Sequence, residues 1–84
     1  MWRDTVSRII KSEMSAKGVK YNDLSTRLSA MGINQTADNL RNKINKGILG
    51  ADLLIQILVC LESTQLDMAR VRDILDDLKK TRSG

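Results

Sequence analysis

Residues 24–47 read LSTRLSAMGINQTADNLRNKINKG, and this stretch decides the fold. Leu24, Leu28 and Met31 recur at i, i+4 and i+7, the spacing of one apolar helix face. Gly32 then stops the helix, because glycine takes the left-handed conformation that helix C-termini favour. After the short segment Gly32-Ile33-Asn34-Gln35 a second helical pattern begins. Thr36 is a good N-cap, since its hydroxyl accepts from an orphan backbone N–H, and Asp38 suits the positive helix end. Ala37, Leu40 and Ile44 form the inward stripe of a helix over about 36–46, and Gly47 closes it. Two short helices, a glycine at the turn and an apolar residue, Ile33, plugging the angle between them are the spacing of a helix-turn-helix.

Working outward, three more helices are predicted. One runs from about Arg3 to Ala16, with Trp2, Val6, Ile9, Ile10 and Met14 on one face, Arg3, Arg8 and Lys11 mostly off it, and Gly18 as its stop. Another, about Ala51 to Leu61, is apolar nearly all round (Leu53, Leu54, Ile55, Ile57, Leu58, Val59, Leu61), the pattern of a helix in the middle of a core. The last runs from about Leu66 to Lys80, with Ser63 or Thr64 as cap and a stripe of Met68, Val71, Ile74, Leu75 and Leu78. Residues 81–84 are expected to fray. The fold class is therefore all-α: one compact bundle of about five helices over residues 1–84, with the helix-turn-helix at about 20–47 and a C-terminal helix at about 65–80.

Composition agrees. At 84 residues with 42% hydrophobic content and no proline, the chain suits one small helical domain. Trp2 and Tyr21 are its aromatics, so the core must be Leu, Ile, Val and Met. Residues 1–50 hold nine Lys/Arg against four Asp/Glu, a balance of +5, whereas residues 51–84 hold five against six, a balance of −1. That asymmetry suits one half facing phosphates; plain surface solubility is the competing explanation. Cys60 is the lone cysteine and reads as a small buried hydrophobe in a reducing compartment. No signal-peptide pattern and no membrane-length apolar run is present, so a cytoplasmic, nucleoid-associated location and no membrane partner are expected.

On a helical wheel the helix at 36–46 turns Leu40 and Ile44 inward and Asp38, Asn39, Asn42, Asn45 and Lys46 outward, with Arg41 and Lys43 on the flanks. This surface is amide-rich and basic, the chemistry of a major-groove reader: Asn pairs with adenine through donor and acceptor, and Arg and Lys reach guanine or phosphate. Any surface helix shows a polar outer face. Three asparagines on one short helix go beyond that, because Asn is a poor helix former.

With these residues in place, Val19–Leu61 resembles the lambda-repressor-like helix-turn-helix family, the Cro and repressor type. Leu24, Ser25 and Leu28 match that family's leucine, small residue, leucine opening; Gly47 matches its closing glycine; residues 54–61 match its apolar fourth helix. The chain also resembles a group of short bacterial and phage proteins sharing Leu40–Ile44, Gly47, Ala51 and the run through Leu58, from which no activity follows. It departs from the family in having Lys20 where a polar cap is usual, and in a longer span from Gly32 to Gly47. The resemblance implies a DNA-binding role in which Gln35, Thr36 and Asn39 enter the groove first, Asn42 and Lys43 follow one turn on, and Lys46 lies along the phosphates. Tyr21 is placed to touch phosphate or brace the reading helix, and Lys17 and Lys20 are further phosphate candidates.

Other chemistries fail on residue types. Without His there is no Ser-His or Cys-His nucleophile pair and no zinc set, so an enzyme, a metal or other cofactor, and a small-molecule ligand are not expected. Asp73, Asp76 and Asp77 read as a solvated face beside Arg70, Arg72, Lys79 and Lys80. The stripe of Met68, Val71, Leu75 and Leu78 has two readings: cover for helices one and four, or the interface of a homodimer, the usual remedy for the weak DNA binding of a lone domain. The sequence thus points to a sequence-specific double-stranded DNA-binding regulator, repressor-like in style. The alternative is a protein–protein module on the same scaffold, antitoxin-like, anti-defence or adaptor.

Overall fold

The computed structural model describes residues 1–83, with side chains to Lys80, and shows five helices and no strand among them. They are α1 (Trp2–Lys17), α2 (Tyr21–Ala30), α3 (Ala37–Lys46), α4 (Ala51–Cys60) and α5 (Met68–Ser83). Helix α5 carries on through Ser83, where fraying was expected; Gly84 lies outside the described residues.

The ends of the first four helices share one device. Past the last turn a residue adopts positive φ, and the N–H after it donates back to a carbonyl five residues earlier. Val19 donates to Met14 at 2.9 Å, Ile33 to Leu28 at 2.9 Å, Ile48 to Lys43 at 3.0 Å and Ser63 to Leu58 at 3.0 Å. At α4 the positive-φ residue is Glu62, φ 56°, in place of a glycine. Starts are less uniform. Thr36 caps α3 as its side chain predicts, accepting from the Asn39 N–H. Lys20, which has no acceptor to offer, is served in reverse: its own N–H donates to Asp23 Oδ2 at 3.1 Å. Asp67, and not Ser63 or Thr64, caps α5 by accepting from the Arg70 N–H; Ser63 Oγ donates instead to Glu13.

The core is aliphatic. Ile10, Leu24, Leu28, Leu40, Ile44, Ile57 and Leu61 are fully buried, each worth about 1.5–3 kcal/mol of transfer free energy. Around them α1 packs on α3 and α5, and α2 packs on α3 and α4. Helix α1 therefore lies between α3 and α5, and buries Thr5 and Ser7 beside Ile9, Ile10 and Met14. Trp2, placed on the inward face by its spacing, is 67% exposed: it lines an open apolar groove with residues of α1, α4 and α5.

One more expectation is corrected. Helix α4 is not surrounded by protein. Its packing partner is α2, so it buries Leu53, Ile57 and Cys60, half-buries Leu54 and Leu58, and leaves Ile55 and Val59 exposed. Met31 is 46% exposed and sits over Cys60, whose Sγ donates to its Sδ. Burial pushes the Cys60 thiol above its ordinary range, with Arg27 pulling weakly the other way. On α5, Leu78 is buried within its own chain, Val71 and Leu75 are half-buried and Met68 is exposed. Helix α5 packs on α1 and is joined to it by Arg8 Nη1 donating to Asp77 Oδ2 at 2.7 Å and by Arg70 donating to Ser12. The acids of α5 are accordingly not confined to pairs on their own helix.

The tightest constraint is at Gly47. Its φ is +67°, and a Cβ there would lie 1.9 Å from the carbonyl oxygen of Arg3. Gly18 has nearly the same φ, +66°, with open space around it. Gly18→Ala should therefore cost about 1 kcal/mol in urea unfolding, the price of a left-handed alanine. Gly47→Ala should cost at least about 2–3 kcal/mol, because the first turn of α1 must also move. Equal losses would show that the α1–α3 approach is not the constraint.

Candidate functional site

Helix α3 is held from below and at both ends. Leu40 and Ile44 fix its inner face at 0% exposure, Thr36 caps its start and Gly47 closes its end against Arg3. What remains outside is polar throughout: Asp38, Asn39, Arg41, Asn42, Asn45 and Lys46 are all exposed. The apolar stripe of the sequence thus determines which residues face solvent.

Side chains at the start of α3 are ordered by short bonds. Ser25 Oγ on α2 donates to the Gln35 carbonyl at 2.6 Å, tying the turn to α2, and Lys43 Nζ donates to Gln35 Oε1 at 3.2 Å. Gln35, Thr36 and Asn39 share a polar hollow of about 240 Å³ with Ser25, Ser29 and Asn34. Its walls offer hydroxyls and amides and no ionisable group, so it can match donors and acceptors but not attract charge by itself.

Charge lies on the flanks. Arg41 Nη1 donates to Asp38 Oδ1 at 2.6 Å, and its guanidinium stands 5.2 Å from the centre of the Tyr21 ring. Asp38, the acid on this face, is thereby partly offset, though an exposed pair of this kind is weak. Tyr21 braces Arg41 by a cation–π contact. Beside them Lys11 of α1, Lys20, Tyr21 and Arg41 line an open groove with no carboxylate in its walls. At the other end of α3, Lys46 and Asn45 line a cleft with Arg3, Asp4 and Trp2. Helices α1 and α3 run antiparallel here, since Arg3 meets the end of α3 and Lys11 meets its middle.

The structure therefore brings together nine of the ten residues singled out from sequence: Gln35, Thr36, Asn39, Arg41, Asn42, Lys43 and Lys46 on or beside α3, and Lys20 and Tyr21 next to Arg41. Lys17 separates from them, reaching the Glu62 carbonyl near the end of α4 at 3.5 Å. Sequence reasoning missed Lys11 and Arg3, because only the α1–α3 packing places them beside α3. It also missed Ser29 and Asn34; Ser25 was noted only as the small residue between two leucines.

Among the described residues no three His, Cys, Asp or Glu come together to hold a metal ion, and no helix is long and apolar enough to cross a membrane.

The family model described as a domain of unknown function (DUF6471) matches residues 2–66, and the chain belongs to that family. The matched span takes in α1 to α4 and ends just short of α5. No curated protein and no solved structure matches the chain.

The asparagines of α3 have no capping or core role to explain them. Alanine is the better helix former by roughly 0.5 kcal/mol, so Asn39→Ala and Asn42→Ala should leave stability unchanged or slightly raised. Thr36→Ala should lower it by about 1 kcal/mol through loss of the cap. Thermal unfolding decides: a loss above about 1 kcal/mol at either asparagine would make it a structural residue.

Proposed function

We propose that this chain binds double-stranded DNA in a sequence-dependent way, with α3 in the major groove, and acts as a repressor-like transcription regulator. The observation that carries this reading is the outer face of α3. It presents three exposed asparagines and Lys46 on a helix anchored underneath by two fully buried aliphatics. An α-helix fits the major groove, and an amide pairs with adenine through both donor and acceptor. The lambda-repressor-like resemblance of residues 19–61 supports the same docking.

The surroundings suit the task. The polar hollow at the start of α3 supplies donors and acceptors near the base edges. The groove lined by Lys11, Lys20 and Arg41, and the cleft in which Arg3 and Lys46 sit with Asp4, flank α3 and would face the phosphates of a duplex docked on it. Contacts of the second kind position the helix and carry no sequence information; those of the first kind discriminate. A protein–protein module would put apolar anchors on the exposed surface of α3. That surface holds Asp, Asn, Arg and Lys, and the exposed apolar side chains lie on other elements.

Selection from a random duplex pool at moderate salt should yield a motif. On that motif, Asn39→Ala and Asn42→Ala should reduce discrimination by about 1–3 kcal/mol at one position each. Lys20→Ala and Lys46→Ala should weaken all sequences evenly and lower the salt slope by about one apiece. Lys17→Ala, directed at α4, should leave the slope unchanged. Failure to enrich any motif, or unaltered specificity in both asparagine variants, would reject major-groove reading by α3.

A further inference from the structure

The groove beside Tyr21 has a depth that a DNA backbone would not use. Its volume is about 490 Å³. Met14 and Val19, 5% and 6% exposed, form its floor. Half-buried Tyr21 forms one wall, and the exposed side chains of Lys11, Lys20 and Arg41 stand around the mouth. A duplex passing over this groove would meet the three cations and leave the aliphatic floor unfilled. No short motif marks the groove in the sequence, because its walls come from α1, the turn after it, the first turn of α2 and the middle of α3.

Charge around the mouth is one-sided. No carboxylate is among the lining residues, and Lys11 and Lys20 make no ion pair among the described residues. Asp38 pairs with Arg41 and Asp23 accepts from the Lys20 N–H, and neither acid lines the groove. Cations at the mouth draw in an anion. A floor of two aliphatic side chains beside a phenol ring gains when an apolar body displaces water from it. Inorganic phosphate meets the first demand alone, and a neutral hydrocarbon the second alone.

We propose that this groove binds a small amphipathic organic anion, a phosphate or carboxylate carried on an aromatic ring, and that this ligand displaces DNA. The ring lies over Met14 and Val19 against Tyr21, and the anionic head sits among Lys11, Lys20 and Arg41. The volume lies within the range of about 300–1,000 Å³ of ordinary ligand pockets. The Arg41 guanidinium stands 5.2 Å from the centre of the Tyr21 ring, so head-group site and aromatic wall are already side by side. The displacement rests on the DNA reading, in which Lys11, Lys20 and Arg41 face phosphates; the binding itself does not. An anion in the mouth neutralises the charges that a DNA strand needs, and by linkage each ligand lowers the affinity for the other by the same factor. This puts an effector site within the helical domain itself.

A ¹⁵N–¹H titration of the full chain with phenyl phosphate tests the site, with inorganic phosphate and phenol as controls at matched ionic strength. Phenyl phosphate should shift Ser15, Val19, Tyr21 and Asn22, and should bind at least about 10-fold tighter than either control. Lys11→Ala should weaken it at least about 10-fold. Lys46→Ala, at the far end of α3, should leave it unchanged. Both lysines are exposed, so both variants should keep the amide spectrum of the folded chain. Anisotropy of a labelled random-sequence duplex reads the displacement: saturating phenyl phosphate should raise the DNA Kd at least about 10-fold over the inorganic phosphate control. Phenyl phosphate that binds no tighter than inorganic phosphate, shifts scattered over other surfaces, or equal loss in the two lysine variants would overturn the site. Binding in the groove with an unchanged DNA Kd would overturn the displacement. Binding in the groove of a chain that takes up no duplex at all would keep the site and reject the reading of α3.

Discussion

The approach of Gly47 to the carbonyl of Arg3 is the contact on which the arrangement of this protein depends. It brings the end of α3 against the first turn of α1, and with the burial of Leu40 and Ile44 it fixes both the height and the rotation of α3. Every property assigned to the α3 surface follows from that rotation. It turns the asparagines outward and places Arg41 over Tyr21. It also draws Lys11 and Arg3, residues of a helix distant in sequence, alongside the same face. A side chain at position 47 would separate the helices and disperse these groups even if α3 itself stayed helical.

Much of this was legible in the sequence, for physical reasons that can be named. Spacings of three and four gave α2 and α3 their inner faces, and Thr36, Gly18, Gly32 and Gly47 marked helix boundaries because caps and left-handed turns are local events. Packing between helices is not local, and there the reading failed in specific places. The spacing of Trp2 matched its helix face, but spacing cannot say whether a neighbour covers the first turn. Helix α4 was apolar all round, which suggested complete burial; its packing against α2 leaves Leu54 and Leu58 half-buried and Ile55 and Val59 exposed to solvent. Lys17 was grouped with Lys20 by closeness in sequence, yet the turn at Gly18 sends the two in different directions. Asp67 was missed as a cap because two hydroxyl residues just before it offered the same chemistry.

The protein also separates its two kinds of surface. The face around α3 is hydrogen-bonding and cationic, its cost visible in three weak helix formers placed where alanine would fold better. The groove lined by Trp2, Leu54, Leu66 and Met68, by contrast, is apolar and open to solvent. Each is unfavourable or idle within a single copy. A surface of amides and lysines gains when it meets a polyanion with hydrogen-bonding edges, and an exposed apolar groove gains when water leaves it.

The most direct test of the account is a ¹⁵N–¹H chemical-shift titration with short random-sequence duplex DNA at low salt, which reports the contacted face residue by residue. Shifts concentrated at residues 35–46, with Lys11 and Lys20 beside them and little change at Ile55 and Val59, are the predicted result. Shifts centred on α4 or α5, or none beyond scattered lysines, would contradict the central claim that α3 is the DNA-reading element.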